Sequence, residues 1–298
     1  MVRHDHRTSF LAGKTISYLM LLTLVSIISF QSGFSQPPAP PGKKWVKINK
    51  LSDEFNQGFN IRKWSKNSPT WAGRKPGLFK KRQVKVQDGK LQITADILPP
   101  SEQGDGWTHA GGLVRSKKPA LPSYQGYYEC RMKANKTFMS STFWLINRRN
   151  EGKGCDRRVT ELDIQECVGQ VTSDKEWSQN WDQSMHSNTH SRNAACNSTP
   201  VGSNGNNVPL GGKVWADYHT YGAWWKSPDE IIFYLDGEKQ YTVKPPADFD
   251  LKLYLRMVVE TYDFNPVPED GGMDGGYAER TTYYDWVRCW KLVDDHEQ

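Results

Sequence analysis

The sequence predicts an all-β domain built from two stacked, curved antiparallel sheets. Three observations carry that prediction: apolar–polar alternation recurs in short stretches, helical periodicity is nearly absent, and paired stretches meet at Asp-Gly turns. Many short strands in one long chain must bury their apolar faces against one another, and a sandwich or barrel is how they do so.

In chain order, residues 1–35 come first and stand apart from the fold. Arg3, His4, His6, Arg7 and Lys14 make a basic start, an apolar run follows from Ile16 to Phe30, and small residues stand at Gly33 and Ser35. That order predicts a secretory signal peptide cleaved after Ser35. The alternative, a membrane anchor, fits less well because the run is short for a bilayer span and contains Ser and Thr. No Cys stands at the cleavage point to take a lipid. The mature protein is therefore expected to be exported, with no membrane contact after cleavage. Pro37–Gly42 makes residues 36–43 a short stiff lead-in. Residues 44–298 then run without a linker or repeat, as one domain.

Gln83–Gln87, Asp88-Gly89 and Lys90–Thr94 read as a hairpin, and so do Ile231–Leu235, Asp236-Gly237 and Lys239–Val243. Further strands are expected at Gly126–Lys133, Ser141–Leu145, Glu161–Glu166, His219–Trp225, Tyr254–Glu260 and Thr282–Lys291, with a helical turn or loop at Lys175–Ser184.

Composition narrows the function. Losing Arg3, Arg7 and Lys14 together with Asp5 takes the formal charge from +6 to +4. That mild surplus suits an anionic ligand. Export and the lack of a dense Lys/Arg run disfavour nucleic acid. Five cysteines, Cys130, Cys155, Cys167, Cys196 and Cys289, allow one or two disulfides in an oxidising compartment and leave at least one unpaired. No CxxC or CxxH spacing points to zinc, so no metal is expected at the site. The chain carries 12 Trp and 13 Tyr. Most rings of this kind build a core, but Trp71 and the Trp177/Trp181 pair sit among loop residues, where an indole face suits the C–H face of a sugar ring.

The chemistry concentrates in Thr160-Glu161-Leu162-Asp163-Ile164-Gln165-Glu166-Cys167. On a strand, Glu161 and Asp163 share one face while Leu162 and Ile164 share the other. Glu166 has the wrong parity and would face the core unless a β-bulge near Gln165 turns it back. Three carboxyls on one face repel, and a surface strand of solvated acids or a calcium site would be the inert reading. The active one gives them different protonation states. Glu161 is the ionised nucleophile, Glu166 the protonated general acid, and Asp163 the carboxylate that assists Glu161. Two carboxyls held close together would retain anomeric configuration through a covalent glycosyl-enzyme, whereas a wider pair would invert it, and position along the strand does not by itself choose between them.

Glu-Leu-Asp-Ile-Gln-Glu resembles the active-site signature of glycoside hydrolase family 16, in the bulged form of agarases, carrageenases and porphyranases. The resemblance continues in Leu51–Asn56, Trp71–Arg74, Gly126–Lys133, Thr142–Leu145, Met185–His190, Phe233–Gly237 and Tyr284–Arg288. It implies a β-jelly-roll with a concave substrate cleft and endo-cleavage of β-linked galactans by a monomer that requires no cofactor. It also implies roles for Trp144 on the cleft floor, His190 near the cleaved bond and Glu260 as a partner of sugar hydroxyls. Asp53 and Asp285 could support a structural calcium. Arg74 beside Trp71 resembles the porphyranases, and its planar fork suits the sulfate of a sulfated galactan. Lys75, Arg157 and Arg158 are candidate helpers. The expected order of substrates is porphyran, then neutral agarose, then carrageenan-like galactans. A non-catalytic galactan-binding protein on the same fold would lack one of the two glutamates.

Overall fold

The computed structural model describes residues 36–148 and 151–297; the signal segment expected at 1–35 lies outside them. The chain forms a jelly-roll sandwich of two sheets. The back sheet has eight strands, ordered Glu238–Val243, Glu230–Leu235, His219–Ser227, Tyr127–Lys133, Thr281–Asp294, Lys90–Thr94 and Val84–Gln87, with Lys43–Lys47 also pairing to Thr281–Asp294. The ten-stranded front sheet runs Gly202–Pro209, Ser184–Arg192, Val159–Val168, Ser140–Ile146, Tyr254–Val259, His109–Ser116, Gly77–Phe79 and Gly73–Arg74. Trp64–Ser65 and Asp96–Ile97 also pair with His109–Ser116.

Both expected hairpins are present. Asp88 and Gly89 have φ of 52° and 68°, and Asp236 and Gly237 have φ of 51° and 84°. Two left-handed residues in succession make the turn whose twist matches the flanking strands. The other six strands foreseen in the sequence form within two residues or so of their expected ends, and Glu176–Ser178 is a single 3-10 turn.

Strand alternation builds the interior. Phe143, Leu145, Leu162 and Ile164 of the front sheet join Cys130, Met132, Tyr221 and Ala223 of the back sheet in one buried apolar core. The intervening residues of the front sheet face outward over a concave surface. Ser184–Arg192 and Gly202–Pro209 were not foreseen as strands. Their sequences are almost wholly polar, and Gly202–Pro209 lies exposed at the sheet edge. Their ladder bonds come from the neighbouring strand, so no hydrophobic period marks them.

Cys155 and Cys196 form a disulfide, while Cys130, Cys167 and Cys289 are free and buried. The two aspartates considered for a structural cation are engaged elsewhere. Asp53 accepts from the Trp64 indole and the Phe55 amide, and Asp285 pairs with Arg131.

Candidate active site

The strand Val159–Val168 carries the irregularity its sequence requires. Asp163 faces Trp144 on one side, but Phe143, the next residue back, faces Gln165. On the other side Asp163 faces Asn188 and Glu166 faces His186, so two residues, Ile164 and Gln165, stand against Ser187 alone. Such a bulge leaves ladder groups without partners. Side chains supply them here. Gln165 Oε1 accepts from the His186 amide at 3.0 Å, and Ser187 Oγ donates to the Ile164 carbonyl at 2.8 Å. Gln165 Nε2 donates to the Ser184 carbonyl at 3.3 Å. Leu162, Ile164 and Cys167 stay in the core, while Glu161, Asp163 and Glu166 all line one cavity of about 860 Å³.

The three carboxyls meet different surroundings. The Arg192 guanidinium grips Glu161 Oε1. Asp163 is buried; burial first, and the neighbouring Glu161 second, hold its carboxyl well above the usual range. His190 Nε2 approaches Asp163 Oδ2 at 3.0 Å, and its Nδ1 pairs with Ser203 Oγ. Burial lowers the His190 pKa, which favours the neutral ring. Glu166 is pushed up to about 8, by burial and then by Asp163, with the Tyr262 hydroxyl at 2.7 Å working against the rise. Ligand atoms of Glu161, Asp163 and His190 lie within 4.8 Å of one another, a spacing a cation could use, but Arg192 already supplies positive charge at Glu161.

The walls are aromatic and cationic. Trp144 and Trp71 line the cavity with ring centroids 5.9 Å apart. The Arg256 guanidinium lies over both, 5.4 Å from the Trp71 ring and 4.9 Å from Trp144. Burial pushes its pKa down to about 10, so it remains charged at neutral pH. Its Nε is buried and has no hydrogen-bond partner among the described residues. Arg115 and Arg148 line the same wall.

Trp71, Arg74, Trp144, Glu161, Asp163, Glu166 and Glu260 line this cavity, and His190 stands beside it against Asp163. Arg74 lines it, but its guanidinium pairs with Glu260 at 3.1 Å and Asp263 at 3.5 Å. Glu260 is itself buried and pushed up to about 7, burial outweighing the pull of Arg74. The suggested helpers lie elsewhere. Lys75 sits over Trp107, and Arg158 is buried in pairs with Asp250 and Asp156. Arg157 borders a separate shallow hollow beside the disulfide. Trp177 is exposed, and Trp181 stacks on His186 at 4.5 Å.

Arg192, Arg256 and Tyr262 were not anticipated. Alternation would have found the first, since His186, Asn188, His190 and Arg192 share one face of a strand whose polar sequence concealed it. Arg256 sits between the core residues Leu255 and Met257, directly opposite Trp144.

The match to known proteins agrees with this geometry. Residues 45–292 fit the model of the β-porphyranase A–D, GH16 domain. The chain belongs to glycoside hydrolase family 16. Within that family it is 50% identical to β-porphyranase B of Zobellia galactanivorans over 94% of this chain and 96% of that one. The crystal structure of porphyranase B from the same organism superposes with a TM-score of 0.83 at 52% identity, covering 89% of this chain and 98% of that one. A β-agarase of Agarivorans albus is more distant, at 26% identity over 84% of this chain and 57% of that one. This family 16 domain is thus a glycoside hydrolase whose nearer relatives among these are porphyranases.

Proposed function

We propose that the protein is a retaining endo-hydrolase of β-1,4 galactosidic linkages in porphyran. The observation that carries this is the register shift between Asp163 and Glu166, which turns both glutamates into one cavity and leaves them in different environments. In the first step a Glu161 oxygen attacks the anomeric carbon while Glu166 gives its proton to the departing glycosidic oxygen. The C–O bond breaks and the glycone is held as an ester on Glu161. Water then attacks the same carbon, passes a proton to Glu166 and releases Glu161, so two inversions leave the configuration retained. Asp163 and His190 back Glu161, and the Arg192 guanidinium pairs with it.

The substrate reading rests on the porphyranase relatives and on the cationic wall. A sulfate half-ester is a fixed anion that a planar guanidinium can hold with two hydrogen bonds. Arg256 and Arg115 suit that role better than Arg74, whose charge is taken by Glu260 and Asp263. Trp71 and Trp144 would pack against the sugar faces, and Glu260 would meet hydroxyls.

The test is reducing-sugar release from porphyran, agarose and κ-carrageenan by the wild type, Glu161→Gln and Glu166→Gln. Porphyran should be cut fastest, with both variants reduced by at least about 1,000-fold. Retained hydrolysis in Glu161→Gln would remove the nucleophile assignment, and faster cleavage of agarose would make the protein a β-agarase.

Export is proposed on the order of residues 3–35 and on the Cys155–Cys196 disulfide, which suits an oxidising compartment. Among the described residues no helix is long and apolar enough to cross a membrane. The N-terminus of protein recovered from culture medium would begin near residue 36.

A further inference from the structure

Tyr262 lies just past the end of strand Tyr254–Val259, and its ring is held on several sides. Phe264 stacks on it at 5.2 Å and 22°, Trp181 meets it edge-on at 5.7 Å, and the Arg74 guanidinium carbon lies 5.3 Å from its centroid. Arg74 is fixed in turn by Glu260 and Asp263, and the Thr261 hydroxyl donates to the Arg74 carbonyl. A ring so confined presents its hydroxyl in one place, 2.7 Å from Glu166 Oε1.

The direction of that hydrogen bond follows from the available partners. Among the described residues the phenol has no acceptor other than Glu166 Oε1. A buried hydroxyl proton left without an acceptor is costly, so the phenol donates and Oε1 accepts. Of the two oxygens of a protonated carboxyl the carbonyl oxygen is the stronger acceptor, so this hydrogen bond favours Oε1 as the carbonyl and the acid proton on the other oxygen.

We infer that Tyr262 is the positioning residue of the general acid: it occupies Glu166 Oε1 and thereby places the transferable proton on Oε2. The inference rests on the hydrolytic reading above. Tyr262 keeps its own proton throughout. Oε2–H passes to the glycosidic oxygen in the first step, and Oε2 takes a proton from water in the second. The phenol donates to Oε1 in both, holding the carboxyl in one orientation and supporting the anion that exists between the two transfers. Other titratable or charged groups surround Glu166: Asp163 and Glu161 on its own strand, His190 and the directly paired His186 on the next, Glu260 just past the end of Tyr254–Val259, and Arg74 over the Tyr262 ring. Cys167 lies behind it in the core. Among the described residues, Tyr262 is the group that hydrogen-bonds it.

Two variants test the inference from opposite directions. Tyr262→Phe keeps the stacked ring and removes the donor. Its kcat on porphyran should fall about 10- to 100-fold, the worth of a hydrogen bond to a charged group, with KM little changed. The basic limb of its kcat/KM profile should move to higher pH, because the ionised carboxyl loses a donor. Trifluorotyrosine at position 262 keeps the shape and gives a stronger donor, so its limb should move to lower pH. An aryl glycoside with a nitrophenolate leaving group needs no proton, and its burst of nitrophenolate should stay near the wild-type rate in Tyr262→Phe. A basic limb that stays put in either variant, or equal losses on porphyran and the aryl glycoside, would overturn the assignment. Hydrolysis surviving in Glu161→Gln would instead overturn the catalytic reading beneath it, so the two failures are distinguishable.

Discussion

Arg256 stands directly across from Arg115 on the neighbouring strand of the front sheet, and among the described residues neither guanidinium pairs with a carboxylate. Like charges opposite each other destabilise a sheet, and burial adds to the penalty at Arg256. Two aromatic faces hold Arg256 in place without neutralising it. A cavity wall that keeps its positive charge unpaired is preorganised for an anion.

From this, Arg256→Ala is expected to lower kcat/KM on porphyran by about 10- to 100-fold, the worth of a charge-assisted pair, and on neutral agarose by much less. Kinetics on both polysaccharides give the ratio. Equal losses on the two would mean that Arg256 only braces Trp71 and Trp144 and does not read sulfate.

The environment of Glu166 sets both activity and stability. As general acid it must be protonated, so kcat/KM should fall as pH rises through about 8. The sign for stability is the same. With its folded pKa raised above the unfolded value of 4.5, the carboxyl binds more protons folded than unfolded, and stability declines with pH between 4.5 and about 8. Glu166→Gln removes that dependence. Its melting temperature should exceed that of the wild type by a margin that widens across this window. A constant margin from pH 4.5 to 8 would argue that Glu166 ionises normally.

Gln165 supports the bulge rather than the substrate. Gln165→Ala leaves the His186 amide without its acceptor inside the sheet, at a cost of about 1–3 kcal/mol measurable by thermal or denaturant unfolding. The larger effect should be on rate, since the bulge is what turns Glu166 toward the cavity. A Gln165→Ala protein with undiminished kcat would show that the irregular register holds without this side chain.

Much of this was legible in the chain. The Asp-Gly turns dictated two hairpins because few other dipeptides accept two left-handed residues in succession. The parity conflict in Glu161–Glu166 dictated a bulge, because a regular strand would have buried Glu166 beside Leu162. Strands announced by apolar alternation were found where that alternation lay. Ser184–Arg192 gave no such sign, and with it His186 and Arg192 stayed hidden as neighbours of the carboxylate strand.

Sequence alone therefore determined the two-sheet class, the irregular carboxylate strand and the common face of Glu161, Asp163 and Glu166, since each follows from local periodicity or turn chemistry. Tertiary structure decided which cation meets which acid. Arg74 went to Glu260 and Arg192 to Glu161, while among the described residues Arg256 and Arg115 met no carboxylate. Those pairings join residues distant in sequence, whose meeting depends on strand order and register, quantities that no local pattern encodes.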